Sequence, residues 1–220
     1  MKLSRFVASL ALAPALVGAQ TTLSTPGGDG TISTFGRPNT QTYGQTFRTP
    51  AVDTRMQNFS FWITNSSAFE MKGYVFAWDG AKATGSALFM SDLLFAPVGE
   101  FMKTTVQTGG LNLVAGGSYV FFLSTSGLQG EGGASMEWNS YGADTYVDGT
   151  FVYLNHDENG DEQAEWTADE WSTWSPTTDL RFEANFNTMD QNVVPEPSTY
   201  VLMATGLMGL GAVARRRRQS

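Results

Sequence analysis

The chain has no cysteine and a single histidine, His156, in 220 residues. Without thiols there is no disulfide, no thiol nucleophile, no iron–sulfur cluster and no cysteine zinc site. One histidine rules out any multi-histidine metal centre. It leaves a Ser-His-Asp triad only if His156 lies beside a serine and an acid. Basic residues are scarce as well. Lys2, Arg5 and the four terminal arginines are six of the 13 Lys+Arg, and Glu196 is one of the 21 Asp+Glu. Residues 20–194 therefore hold 7 basic against 20 acidic side chains, a net charge of −13. Nucleic acid, whose phosphates demand clustered Lys and Arg, is excluded as a partner. Anionic lipid head groups would be repelled, whereas cations, neutral glycans and solvent are compatible with such a surface. No window of this middle region sustains a helical apolar stripe over three turns.

What is present is concentrated at the two ends. Met1-Lys2-Leu3-Ser4-Arg5 is a basic opening, Phe6 to Val17 is apolar with Pro14 inside it, and Val17-Gly18-Ala19 supplies small residues. That order predicts a signal peptide over 1–19, cut by signal peptidase before Gln20; the competing reading is a first buried helix. At the other end Val194-Pro195-Glu196-Pro197-Ser198-Thr199 leads into an apolar run and then Arg215-Arg216-Arg217-Arg218. The uncharged stretch Thr199 to Ala214 is sixteen residues long. As a helix it spans about 24 Å at roughly 1.5 Å per residue, short of the ~30 Å hydrocarbon core. Snorkelling arginine stems cover part of that deficit. Gly206, Gly209 and Gly211 weaken the helix, which suits a temporary anchor. Positive charge stays cytoplasmic, so the four arginines act as the stop and everything before Pro195 lies outside. Pro195 and Pro197 hold Glu196 extended, in a form a processing enzyme can bind.

Pro195, Glu196 and Pro197, the apolar segment and the Arg cluster, in that order, resemble the PEP-CTERM sorting signal of Gram-negative bacterial surface proteins. The resemblance covers about residues 194–218. It implies recognition and removal of the tail by an exosortase-like enzyme after a transient stay in the inner membrane. The destination it implies is the cell surface or the extracellular space.

Between the two signals the chain reads as all-β. In Gln57–Ile63, Phe59, Phe61 and Ile63 share one face with period two, as do Tyr74, Phe76 and Trp78 before the turn Asp79-Gly80. Phe101–Thr108, Leu111–Ala115, Ser118–Thr125, Tyr146–Asn155 and Leu180–Phe186 are further predicted strands, with Gly109-Gly110 and Gly116-Gly117 as tight turns. Nine to eleven short strands at this spacing predict an antiparallel two-sheet sandwich, jelly-roll-like, followed by the C-terminal single transmembrane helix. The organisation expected is a signal peptide at 1–19, a flexible leader at 20–40, a β-sandwich ectodomain at 41–187, a linker at 188–194 and the sorting signal at 195–218. Gly44–Phe47, Phe59–Trp62, Tyr74–Gly80 and Ala115–Tyr119 are also similar to domains that commonly precede PEP-CTERM tails and mostly lack an assigned activity.

Three clusters are candidate chemistry. Asp157, Asn159 and Asp161 have the 1-3-5 spacing of a calcium loop, but Glu162 stands where an EF-hand needs glycine and Ala168 occupies position 12. A nonstandard calcium site would draw on Glu165, Asp169 or Glu170; the competing reading is a solvated turn. Trp166, Trp171 and Trp174 are candidates for sugar stacking, with core burial the commoner fate of such residues. Trp62, opposite Phe61 and Ile63 in the alternation, is the sharper single candidate for exposure; the competing reading is that a sandwich edge or loop covers it. Paired carboxylates are the only hydrolytic machinery the composition permits, and Glu137 and Glu183 are the candidates on strands. The expectation is a non-enzymatic exported protein with a structural or adhesive role in the envelope or exopolysaccharide matrix. A carbohydrate-binding module, calcium-assisted or not, is the alternative, and a polysaccharide hydrolase the third.

Overall fold

The computed structural model describes residues 20–36, 39–65, 70–96, 98–128, 136–155, 162–188, 205 and 215. Thirteen strands lie among them. They are β1 (Gln20–Ser24), β2 (Gly30–Phe35), β3 (Thr42–Arg48), β4 (Arg55–Asn65), β5 (Glu70–Trp78), β6 (Ala83–Met90) and β7 (Leu94–Phe95). β8 (Gly99–Asn112), β9 (Ser118–Ser124), β10 (Met136–Tyr141), β11 (Phe151–Leu154), β12 (Asp179–Leu180) and β13 (Phe182–Asn187) complete the set. Among the described residues helix is confined to a 3-10 turn at Glu162–Ala164 that runs into α1 (Glu165–Ala168), apart from the isolated residues Thr205 and Arg215.

The strands form two antiparallel sheets. The first runs β1-β13-β4-β10-β12, with β8 along β4 and β2 along β10; the second runs β11-β3-β9-β5-β6, with β7 on β5. Period-two alternation builds the layer between them. Phe59, Phe61 and Ile63 of β4, Phe182, Ala184 and Phe186 of β13 and Trp138 of β10 meet Tyr43, Phe47, Val75, Phe121 and Leu123 of the second sheet, all buried. Phe121 sits at the centre, its ring 4.9 Å from Phe59, 5.4 Å from Phe61 and 5.5 Å from Phe182. At Gly73 the two sheets lie close together: a Cβ there would lie 2.7 Å from the Val106 side chain.

Three sequence-based expectations are corrected. Residues 20–36, expected in a loose leader at 20–40, carry two strands. β1 pairs with β13 from Gln20↔Asn187 to Ser24↔Glu183, and β2 pairs with β10 and buries Ile32 and Phe35. Gly109 and Gly110 do not turn the chain. Both have positive φ, but they form an irregularity inside the single long strand β8, where pairing with β4 shifts between Met56 and Asn58. The strand expected from Tyr146 begins only at Phe151, because Tyr146 to Gly149 close a turn through the Gly149 N–H donating to the Tyr146 carbonyl at 3.1 Å.

The chain divides into two compact units, Met1–Thr188 and Met189–Ser220. Among the described residues no helix is long and apolar enough to cross a membrane. The predicted signal peptide, the Pro195-Glu196-Pro197 motif and, Thr205 and Arg215 apart, the predicted membrane segment and Arg cluster lie outside the described residues.

Candidate functional site

The tryptophan segment is where sequence and structure part company. The outer face of the second sheet is itself apolar: Tyr74 and Phe76 of β5, Val120 and Phe122 of β9 and Val152 and Leu154 of β11 all point away from the main core. Residues 162–171 cross this face and cover it. The Trp166 ring lies 4.7 Å from Tyr74 and 4.9 Å from Phe122, and its Nε1–H donates to Thr42 Oγ1 at 3.2 Å. Trp171 lies 5.1 Å from Phe122 and donates its Nε1–H to the Trp166 carbonyl at 2.9 Å. Both indoles are buried with their polar atoms satisfied inside the protein, so neither offers a face to a sugar. Only Trp174 is exposed, at 57%, standing edge-on to Phe151 at 6.1 Å. The three do not form a platform, because covering a second apolar sheet face consumes two of them.

Asp157, Asn159 and Asp161 lie outside the described residues. Of their expected helpers, Glu165 begins α1, while Asp169 and Glu170 follow it. Among the described residues no group of three or more His, Asp or Glu is placed to hold a metal ion. Asp179 is buried for a different reason. Its carboxylate accepts from Gln45 Nε2 at 2.9 Å, from the Thr145 and Tyr146 N–H groups at 2.9 and 2.8 Å, and from Thr145 Oγ1 at 3.1 Å. Gln45 Oε1 in turn accepts from Leu180 N–H at 2.9 Å. This buried amide and carboxylate tie β3 of the second sheet to β12 of the first.

The outer face of the first sheet is open and polar. Trp62 stands half-buried on it, as its place in the alternation predicted, with the Arg181 guanidinium 4.3 Å and the Lys103 ammonium 5.2 Å from its ring centre. Glu183, one of the two carboxylates considered for hydrolysis, is engaged by Lys103 at 2.8 Å and by Asn185 Nδ2 at 2.9 Å. The Lys103 bond first, then the Asn185 bond, holds the Glu183 carboxyl below the usual carboxylate range. Glu137 is exposed on β10. Around these residues runs a ladder of side-chain hydrogen bonds: Thr22 to Asn185 at 2.7 Å, Asn185 to Asn58 at 2.9 Å, and Ser60 with Thr105 at 2.9 Å. The convergence of cations on Trp62 was not visible from composition, since Lys103 and Arg181 are 78 positions apart in the chain and meet only because β8 and β13 flank β4.

Residues 193–218 match the PEP-CTERM protein-sorting motif. The tail is thus an exosortase-type sorting signal, which implies export to the cell surface and processing by an exosortase. No curated protein matches the chain. Among solved structures, it is similar to the cysteine protease and lectin-like domains of Cwp84, a surface layer associated protein of Clostridium difficile. That likeness has 13% identity and a TM-score of 0.49, and covers 77% of this chain and 36% of that one. A second likeness, to the infectious bursal disease virus Gt strain structure, has 13% identity and a TM-score of 0.27, with 91% and 52% covered. The chain therefore spans about a third of the first chain's length and half of the second's.

Proposed function

We propose that this is an exported, non-enzymatic protein, sorted by an exosortase-like system to the cell envelope or exopolysaccharide matrix, where its β-sandwich has a structural or adhesive role. The sorting motif at residues 193–218 carries the reading. In it the N-terminal segment directs export through signal peptidase, and the apolar run after Thr199 crosses the inner membrane as a short helix stopped by Arg215 to Arg218. The extended Pro195-Glu196-Pro197 peptide is then the substrate of the processing enzyme. The cysteine-free body is compatible with this route, since it draws its stability from two aromatic layers rather than from oxidative cross-links.

Replacing Pro195, Glu196 and Pro197 together with alanine tests the proposal. The expected result is unprocessed chain held in the inner-membrane fraction, whereas the wild-type product appears at the surface without peptides from the arginine end. Normal release of the triple variant, or mature wild-type protein outside the cell that still yields arginine-end peptides, would refute the sorting role.

A further inference from the structure

We infer that the open face of the first sheet around Trp62, Arg181 and Lys103 is a binding site for a carboxylate-bearing saccharide, a uronate unit of an acidic polysaccharide. This deepens the matrix role proposed above and rests on it for its biological setting.

The argument begins with charge. Residues 20–194 carry only 7 basic side chains against 20 acidic ones, yet two of the 7 converge on one indole. Lys103 is committed to Glu183. Arg181 has no carboxylate within ion-pair distance among the described residues; its hydrogen bond on this face runs from Nη1 to Asn139 Oδ1 at 3.3 Å. A guanidinium offers five N–H donors in a planar fork, so most of Arg181's donors have no protein acceptor among the described residues. The fork is also held in place. Trp62 stacks against it at 4.3 Å, and the Asn139 oxygen that anchors it is fixed by the Gly28 N–H at 3.1 Å. Such a fork matches a carboxylate bidentately and has already lost the rotamer freedom that a free arginine would give up on binding.

The surroundings select a sugar over a bare anion. Arg181 and Lys103 lie over the indole, so the apolar surface it leaves for pyranose C–H groups is the part of the half-buried ring that the two cations do not cover. The neighbouring Thr105, Asn58 and Asn185 side chains form a donor–acceptor strip along the strands, with Thr105 anchored on the buried Ser60 hydroxyl. The remainder of the body repels polyanions at long range, so the contact is short-ranged and is best measured at 0.15 M salt, where the Debye length is about 8 Å.

The full chain, purified in detergent, is titrated at that salt with polygalacturonate, with neutral dextran and with inorganic polyphosphate. Polygalacturonate is expected to bind and the other two are not. R181Q is expected to weaken polygalacturonate binding by roughly tenfold, as for loss of one charge-assisted contact, with the melting temperature unchanged. R181K, which keeps the charge but not the fork, is expected to lose nearly as much. Absence of polygalacturonate binding, equal binding of polyphosphate, or a wild-type affinity in R181Q would each overturn the assignment. Because the assay uses purified chain, its failure leaves the sorting test untouched, and retention or release of the Pro195–Pro197 variant leaves this binding result untouched.

Discussion

Trp166→Ala is expected to destabilise the sandwich by about 3–5 kcal/mol, the usual cost of truncating a buried tryptophan. The value belongs at the upper end of core substitutions because two losses coincide. The indole leaves its contacts with Tyr74, Phe76 and Phe122, and its hydrogen bond to the buried Thr42 Oγ1 is gone. A domain of this size has only about 5–15 kcal/mol in total, so a large part of its margin disappears. Urea unfolding should show a lower midpoint with an unchanged slope, and the variant should bind a hydrophobic dye at the uncovered outer face of the second sheet. Trp174→Ala, which removes an indole that is 57% exposed, is the internal comparison and should shift stability by less than about 1 kcal/mol. Equal destabilisation by the two would mean that residues 162–171 do not cover the sheet.

The same cover explains how far the sequence could be read. Wherever one strand face meets the core and the other meets water, alternation is plain: β13 buries Phe182, Ala184 and Phe186 and leaves Glu183 and Asn185 half-exposed, as expected from Phe182 on, while Leu180 belongs to the separate β12. The turn at Asp79-Gly80 is equally legible. The Asp79 side chain caps it by accepting from the Ala81 and Lys82 N–H groups at 2.8 and 2.9 Å, and those bonds hold its carboxyl below the ordinary range. β9 is harder. In Ser118–Ser124 every residue after Ser118 is buried, so period two vanishes from the sequence although the strand remains. Such a run announces that something lies over the second face, without saying what. The cover turned out to be the acidic, tryptophan-bearing segment that composition alone made look like a ligand site. β1 and β2 escaped notice for the opposite reason. Their serines, threonines and glycines carry little apolar signal, and their pairing with β13 and β10 depends on residues more than 100 positions away. Trp62 could be assigned to the outer face from its neighbours alone, but not the two cations beside it, because strand order is a tertiary fact.

Asp179→Ala should cost about 3 kcal/mol or more, from a residue with no part in binding. Removal of the carboxylate strands the fully buried Gln45 amide, a loss of about 1–3 kcal/mol, and takes the acceptor from the part-buried Thr145 and Tyr146 N–H groups, which adds to it. The loss would also loosen β3 from β12, since Gln45 holds Leu180 through the same side chain. Asp179→Asn is gentler, because one amide oxygen still accepts; its value is that it cannot titrate. Burial pushes the Asp179 carboxyl above its ordinary range, with the bonds from Gln45, Tyr146 and Thr145 opposing that shift. The folded chain therefore holds this proton more tightly than the unfolded chain. Its contribution is fully present below the unfolded value and is lost as pH rises through the folded one. Glu183 and Asp79, held low, act in the opposite sense, but they are common to wild type and variant and cancel in the difference. The wild-type stability advantage over Asp179→Asn, measured by urea unfolding across the acid range, is thus expected to shrink as pH rises. If that advantage grows instead, the donors outweigh desolvation, and Asp179 is held as a carboxylate by its hydrogen bonds rather than pressed toward the neutral acid by the apolar layer around it.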